Sequence, residues 1–142
     1  RYVHYWGKAG KAWVMAGLPF LGRKPQICVS SSGAVLVLFT RGADPEYHGC
    51  SDPGGTLCIA MGTASGNGNW KIVWESDKAF VGEPLMDQAR WRQSGILSVY
   101  MQEKPSSAGL PSALHVLDFY PAVLAARRRV EAAGWDPMPS SL

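Results

Sequence analysis

Short apolar runs recur along the whole chain, each broken by Gly, Ser, Asn or Pro before it reaches helical length. They fall at Val3–Trp6, Ala12–Met15, Gln26–Ser30, Ala34–Thr40, Thr56–Met61, Trp70–Ser76, Ile96–Gln102 and Ala113–Phe119. Each is rich in β-branched or aromatic residues and predicts a strand, and the separators predict turns, so hairpins in series are expected. One run differs. In Ala34–Thr40, Val35, Val37 and Phe39 alternate with Leu36 and Leu38, which leaves no polar face and predicts a strand buried between two layers. Lys71 and Glu75 interrupt the run from Trp70, which fits an outer, half-wet strand. After Asp118 the period changes: Val123, Ala126, Val130 and Ala133 recur at helical spacing behind Pro121, predicting a helix over Pro121–Ala133 with Arg127, Arg128 and Arg129 on its exposed side.

The runs also repeat. Lys24-Pro25-Gln26-Ile27-Cys28-Val29, continued by Gly33-Ala34-Val35-Leu36-Val37, is echoed by Glu83-Pro84-Leu85-Met86-Asp87 and Gly95-Ile96-Leu97-Ser98-Val99. Both read as Pro, apolar strand, polar turn ending in Gly, apolar strand. Proline at a strand's first position needs no ladder N–H, and glycine supplies the positive φ of a hairpin turn. The period, Pro25 to Pro84, is long enough for four strands with loops, the unit of a propeller blade. The expected organisation is therefore all-β: a β-propeller fragment of about two to three four-stranded antiparallel blades with a short C-terminal helix. Residues 1–20 would end one blade, 21–80 form a full blade, 81–119 form an incomplete one, and 120–142 make a helical tail.

Composition supports this picture. The 142 residues include sixteen Gly, ten Pro and six Trp, a turn-rich and aromatic-rich mixture that suits short strands, and 46% hydrophobic content suffices for one core. The net charge is only +3, and basic residues are scattered until Arg127–Arg129, so no stripe that would track phosphates exists and nucleic acid is not an expected partner. No apolar stretch is long enough to span a bilayer, and no membrane partner is expected. Cys28, Cys50 and Cys58 form no C-x-x-C pair; Cys28 and Cys58 lie among apolar neighbours and read as buried free thiols. The chain opens at Arg1 without Met, which points to an upstream portion, the missing N-terminal blades of the same protein.

Tyr5-Trp6-Gly7 with Trp13, then Arg23-Lys24-Pro25, Gly33 and the long apolar strand, then Gly82-Glu83-Pro84-Leu85, Gly95-Ile96-Leu97-Ser98-Val99 and Leu114-His115-Val116-Leu117-Asp118, occur in an order that resembles the C-terminal part of BNR-repeat, sialidase-like propellers related to ulvan lyases and rhamnose-glucuronate lyases. The sialidase-type Asp-box is only echoed, in Gly10-Lys11-Ala12-Trp13 and in Ser65-Gly66-Asn67-Gly68-Asn69-Trp70, where a tryptophan would pack beneath a turn. The resemblance implies a secreted or periplasmic protein that cleaves acidic, uronate-containing polysaccharide or oligosaccharide by β-elimination. Such chemistry needs a base, a group that stabilises the enolate and an acid for the leaving oxygen. In the family the main catalytic histidines belong to N-terminal blades, so no catalytic residue is assigned to this chain. The alternatives are a sialidase-like glycoside hydrolase, for which Asp44, Glu46 and Asp52 are the acid cluster, and a non-catalytic carbohydrate-binding propeller.

Within the chain, Arg41, Tyr47 and His48 are the candidate substrate-binding residues: a cation, a phenol and an imidazole in a polar loop that follows a buried strand. The competing reading is an ordinary exposed loop. No cofactor is expected here; a structural zinc or calcium is left open for the full-length protein, with His48 and Cys50, joined by Cys28 or Cys58, the residues of suitable softness. His4 and His115 read as satisfied strand histidines, His4 with the option of facing a sugar, and the tryptophans read as packing residues.

Overall fold

The computed structural model describes residues 2–7, 9–42, 54–63 and 69–132. It is mostly β, with a curled antiparallel sheet of six strands, a separate two-stranded sheet and two short helices. The small sheet pairs β1 (Val3–Trp6) with β2 (Val14–Gly17). The large sheet contains β3 (Arg23–Val29), β4 (Ala34–Arg41), β5 (Gly55–Thr63), β6 (Lys71–Met86), β7 (Leu97–Glu103) and β8 (Leu114–Phe119), in that spatial order. Helix α1 (Gln88–Ser94) joins β6 to β7, and α2 (Pro121–Ala132) follows β8.

Strand β4 shows why the sheet holds together. Its positions 35–40 are at most 4% exposed, as a strand without a polar face must be if it is to leave water on both sides. Leu36 and Leu38 face one layer, with Leu57, Ile59, Met61, Leu97 and Leu124 of α2 among their companions. Val35, Val37 and Phe39 face the other, under Leu18, Phe20 and Trp70 and beside the β1–β2 hairpin. On that side Phe20 stacks on Phe39 at 4.8 Å, and Gly22 leaves the room that Phe39 occupies. The β3–β4 turn is the expected one: Gly33 has φ 80°, and the Ser30 hydroxyl accepts the Ala34 N–H at 3.0 Å.

The expected repeat is expressed differently in its two copies. Pro25 and Pro84 lie inside strands, at register irregularities between Arg23 and Gln26 and between Val81 and Leu85. A bulge tolerates a missing N–H as well as a strand's first position does. After Pro84 the polar segment is a helix: the Asp87 carboxylate accepts the Arg90 N–H at 2.9 Å, and Gly95, at φ 67°, closes it by donating to the Trp91 carbonyl. The boundary expected between residues 80 and 81 falls inside β6, where Phe80 pairs with Gly55 of β5 on one side and with Glu103 of β7 on the other.

Two further elements are displaced. The second strand of the hairpin begins at Val14, because Trp13 folds across Gly7, within 3.2 Å of where a Cβ would stand, and closes the loop instead of entering the ladder. Trp70 stands just before β6 and not in it: it packs directly on Gly62 of β5 and is 8% exposed.

Leu38, fully buried between β4 and its neighbours, should be costly to truncate: Leu38→Ala is expected to lower unfolding stability by about 2–5 kcal/mol, while Leu110→Ala, in an exposed loop, should change it by less than about 0.5 kcal/mol. Urea titration followed by tryptophan fluorescence reads both. The open edges β3 and β8, with Leu114 and Val116 exposed on β8, should make the isolated chain self-associate. Light scattering during gel filtration should show this and show it reduced by Val116→Lys; a monodisperse wild-type monomer would contradict the expectation.

Candidate functional site

At one end of the sheet, β4 and β5 converge on the root of the segment 43–53. A Cβ on Gly55 would run into the Arg41 backbone carbonyl, so glycine is required there for β5 to start this close to the end of β4, whereas a Cβ on Gly42 would make only ordinary contact with the Gly54 carbonyl. Arg41, the candidate cation, stands here. Its guanidinium pairs with Glu75 Oε1 at 2.7 Å, both side chains about four-tenths exposed, where such a pair contributes at most about 1 kcal/mol. Glu75 Oε1 also lies 3.8 Å from the Cys58 thiol. Burial pushes that thiol up to about 12; Arg41 opposes the shift and Glu75 adds to it. Tyr47 and His48 lie outside the described residues, as do Cys50, Asp44, Glu46 and Asp52.

The same end carries a second ionic group. His115 Nε2 meets Glu103 Oε2 at 2.7 Å, and Lys78 Nζ meets the same oxygen at 2.9 Å. The Phe80 ring lies edge-on to His115 at 5.5 Å. Thus His115 is a satisfied strand histidine, as its apolar flanks suggest. The Lys78 hydrogen bond, then that of His115, holds the Glu103 carboxyl below the usual carboxylate range; in return Glu103 raises the Lys78 ammonium.

His4 behaves differently. Its ring sits 5.0 Å from Trp6 and edge-on to Trp70 at 5.4 Å, yet its Nδ1 is buried without a hydrogen-bond partner among the described residues. The Tyr2 hydroxyl is in the same condition. Burial first, then the charge of Cys58, moves the Tyr2 phenol further above its ordinary range. Both residues line a cleft of about 270 Å³ between the β1–β2 hairpin and the sheet, walled by Tyr5, Ile27, Val37 and Trp70. Tyr5 is 59% and Ile27 56% exposed, so the cleft opens to solvent. It combines aromatic faces with two buried hydrogen-bonding atoms that have no partner among the described residues, each of which costs about 1–3 kcal/mol when buried unmet.

Several further polar side chains serve the fold. Arg90 pairs at 2.8 Å with Asp118, which also accepts the Ser98 hydroxyl at 2.6 Å; the Asp87–Arg90 proximity in sequence therefore yields a helix cap and not an ion pair. Cys28 and Cys58 are free and buried on opposite faces of the sheet, Cys28 also pushed up to about 12 by burial, so the two cannot serve one metal. Among the described residues no group of three or more His, Cys, Asp or Glu is placed to hold a metal ion, and no helix is long and apolar enough to cross a membrane.

Because the native Glu103 carboxyl is held low, its contribution to stability is present at neutral pH and is lost as pH falls through its folded value. The stability difference between wild type and Glu103→Gln should therefore be largest near neutrality and vanish well below pH ~4; urea midpoints measured across that range check it. Comparison with protein-family models, with curated proteins and with solved structures finds no match to this chain.

Proposed function

We propose that this chain is part of a secreted or periplasmic carbohydrate-active β-propeller that cleaves uronate-containing polysaccharide by β-elimination, and that its own share of the work is to hold sugar. The observation that carries the sugar-holding role is the open cleft lined by Tyr2, His4, Tyr5 and Trp70, with the Tyr5 ring exposed at its mouth. A pyranose has an apolar C–H face that lies well against an aromatic ring and an edge of hydroxyls. Tyr2 Oη and His4 Nδ1 lie buried behind the cleft wall, so the aromatic faces and not these two atoms would hold the ring.

Elimination as the chemistry rests on the family resemblance, with the base in the N-terminal blades. On this reading Arg41, Tyr47 and His48 are accessory groups for the acidic substrate. For the hydrolytic alternative, Glu75, Glu103 and Asp118 are taken up in ion pairs and Asp87 caps α1, which leaves Asp77 and Glu83 among the described carboxylates, while the acid cluster Asp44, Glu46 and Asp52 lies outside the described residues.

Tyr5→Ala separates a binding role from a packing role. Removing an exposed ring at the mouth of the cleft should change stability by less than about 0.5 kcal/mol, yet weaken oligosaccharide binding by roughly fivefold to tenfold. Unchanged binding would remove the basis for the sugar reading. For the reaction itself, the complete protein incubated with rhamnose- and glucuronate-containing polysaccharide should generate ultraviolet absorbance from unsaturated uronate. Cleavage without absorbance would indicate hydrolysis.

A further inference from the structure

Strand β3 carries a row of exposed apolar side chains on the face that holds the aromatic cleft, and the row does not stop there. Ile27 lines that cleft; Val29, two residues on and 53% exposed, lines a second one. The two clefts open toward opposite layers, the first under the β1–β2 hairpin and the second toward the helices, with the β3 edge between them.

The second cleft, of about 530 Å³, opens where the β3–β4 turn faces α1 and the start of α2. Its lining includes Ser31, Ser32, Trp91 and Arg92 and, among the described residues, no carboxylate. Trp91 leans on the core layer that includes Leu36 and Leu38 and stays partly exposed, so its indole is held in place by packing. The two arginines of α1 divide their roles. Arg90 is taken by Asp118 at 2.8 Å, whereas Arg92, exposed, has no ion-pair or hydrogen-bond partner among the described residues. The turn is organised without it: Ser30 and Ser32 hydroxyls bond each other at 2.9 Å, and Ser94 donates to the Arg90 carbonyl. A cleft whose described lining offers one uncommitted guanidinium, hydroxyls and an anchored indole without a negative group favours a ligand that is flat on one face and anionic at its edge.

We propose that this second cleft binds the acidic unit of an anionic oligosaccharide, with the carboxylate or sulfate group on Arg92 and the Ser31 and Ser32 hydroxyls, and the ring against Trp91. The proposal rests on the sugar reading of the aromatic cleft and adds to it a place for the charge.

The test is retention of the full chain on immobilised polyglucuronate, dextran sulfate and unsubstituted dextran. Both acidic polymers should retain it more strongly than dextran. Arg92→Gln should cut retention on the acidic polymers about tenfold and leave dextran unchanged, with Arg92→Lys intermediate because it keeps the charge but loses the planar fork. Lys11→Gln, which removes the same charge from the β1–β2 hairpin, should have no effect. An Arg92 effect on polyglucuronate alone assigns the cleft to uronates, and one on dextran sulfate alone assigns it to sulfate esters. Equal losses for Arg92→Gln and Lys11→Gln would reduce the effect to general charge attraction and overturn the proposal. If Tyr5→Ala weakens retention and Arg92→Gln does not, the second cleft falls and the aromatic cleft stands; no retention on any polymer removes both.

Discussion

The ladder between β4 and β5 is the constraint on which everything else depends. It pairs eight positions, from Ala34 with Thr63 to Arg41 with Thr56, and nearly all of its interior is inaccessible to solvent on both faces. With apolar residues on both sides, alternation alone cannot choose the register. Size does. On the layer beside the β1–β2 hairpin, small Cys58 and Ala60 lie among Phe20, Phe39 and Trp70; on the helix side, Leu57, Ile59 and Met61 fill the space against Leu36, Leu38 and Leu97. A slip of one residue would drive the large set under the aromatic rings and leave voids below the helices, adding overpacking to cavity loss. Once this register is set, the Gly42–Gly54 closure, the Arg41–Glu75 pair and the floor of the aromatic cleft at Val37 follow from it.

How much of this was legible in the chain depends on what each element asks of its residues. The buried nature of β4 could be read directly, because five consecutive apolar residues have no other place in a folded sheet. The positive φ of Gly33 could be read for the same kind of reason. The length of β6 could not. Glu75, Ser76, Asp77 and Lys78, followed by Gly82 and Pro84, look like the end of a strand and a connection, but bulges absorb them and the ladder continues to Met86. Helix α1 was hidden by its shortness: seven residues give no apolar period, and its only signals were the two caps, Asp87 and Gly95, which equally suit a turn.

The sites show the same division. A loop behind a buried strand is visible in one dimension, and Arg41 does stand where β4 gives way to such a segment. The two clefts are not visible in one dimension. The aromatic cleft draws on residues 2–5, on β3, on Val37 and on Trp70, which meet only because the hairpin lies over the sheet. The sole local hint was a polar imidazole between Val3 and Tyr5. The second cleft joins a serine turn to a helix that the apolar pattern does not reveal. Charge placement, by contrast, is mostly structural: Glu75, Glu103, Asp87 and Asp118 tie strands and cap a helix, leaving Arg92 as a cation with no such duty.

If the six strands form one continuous sheet organised by β4 and β5, backbone hydrogen exchange must reflect it. The slowest amides should lie in Val35–Phe39 and Leu57–Met61, and protection should run without a gap through Phe80 and Val81 of β6, which pair with β5, β7 or both. Fast exchange at Phe80 and Val81 between two separately protected blocks would contradict the account, because the chain would then be two independent units and the ladder between β4 and β5 would organise only one of them.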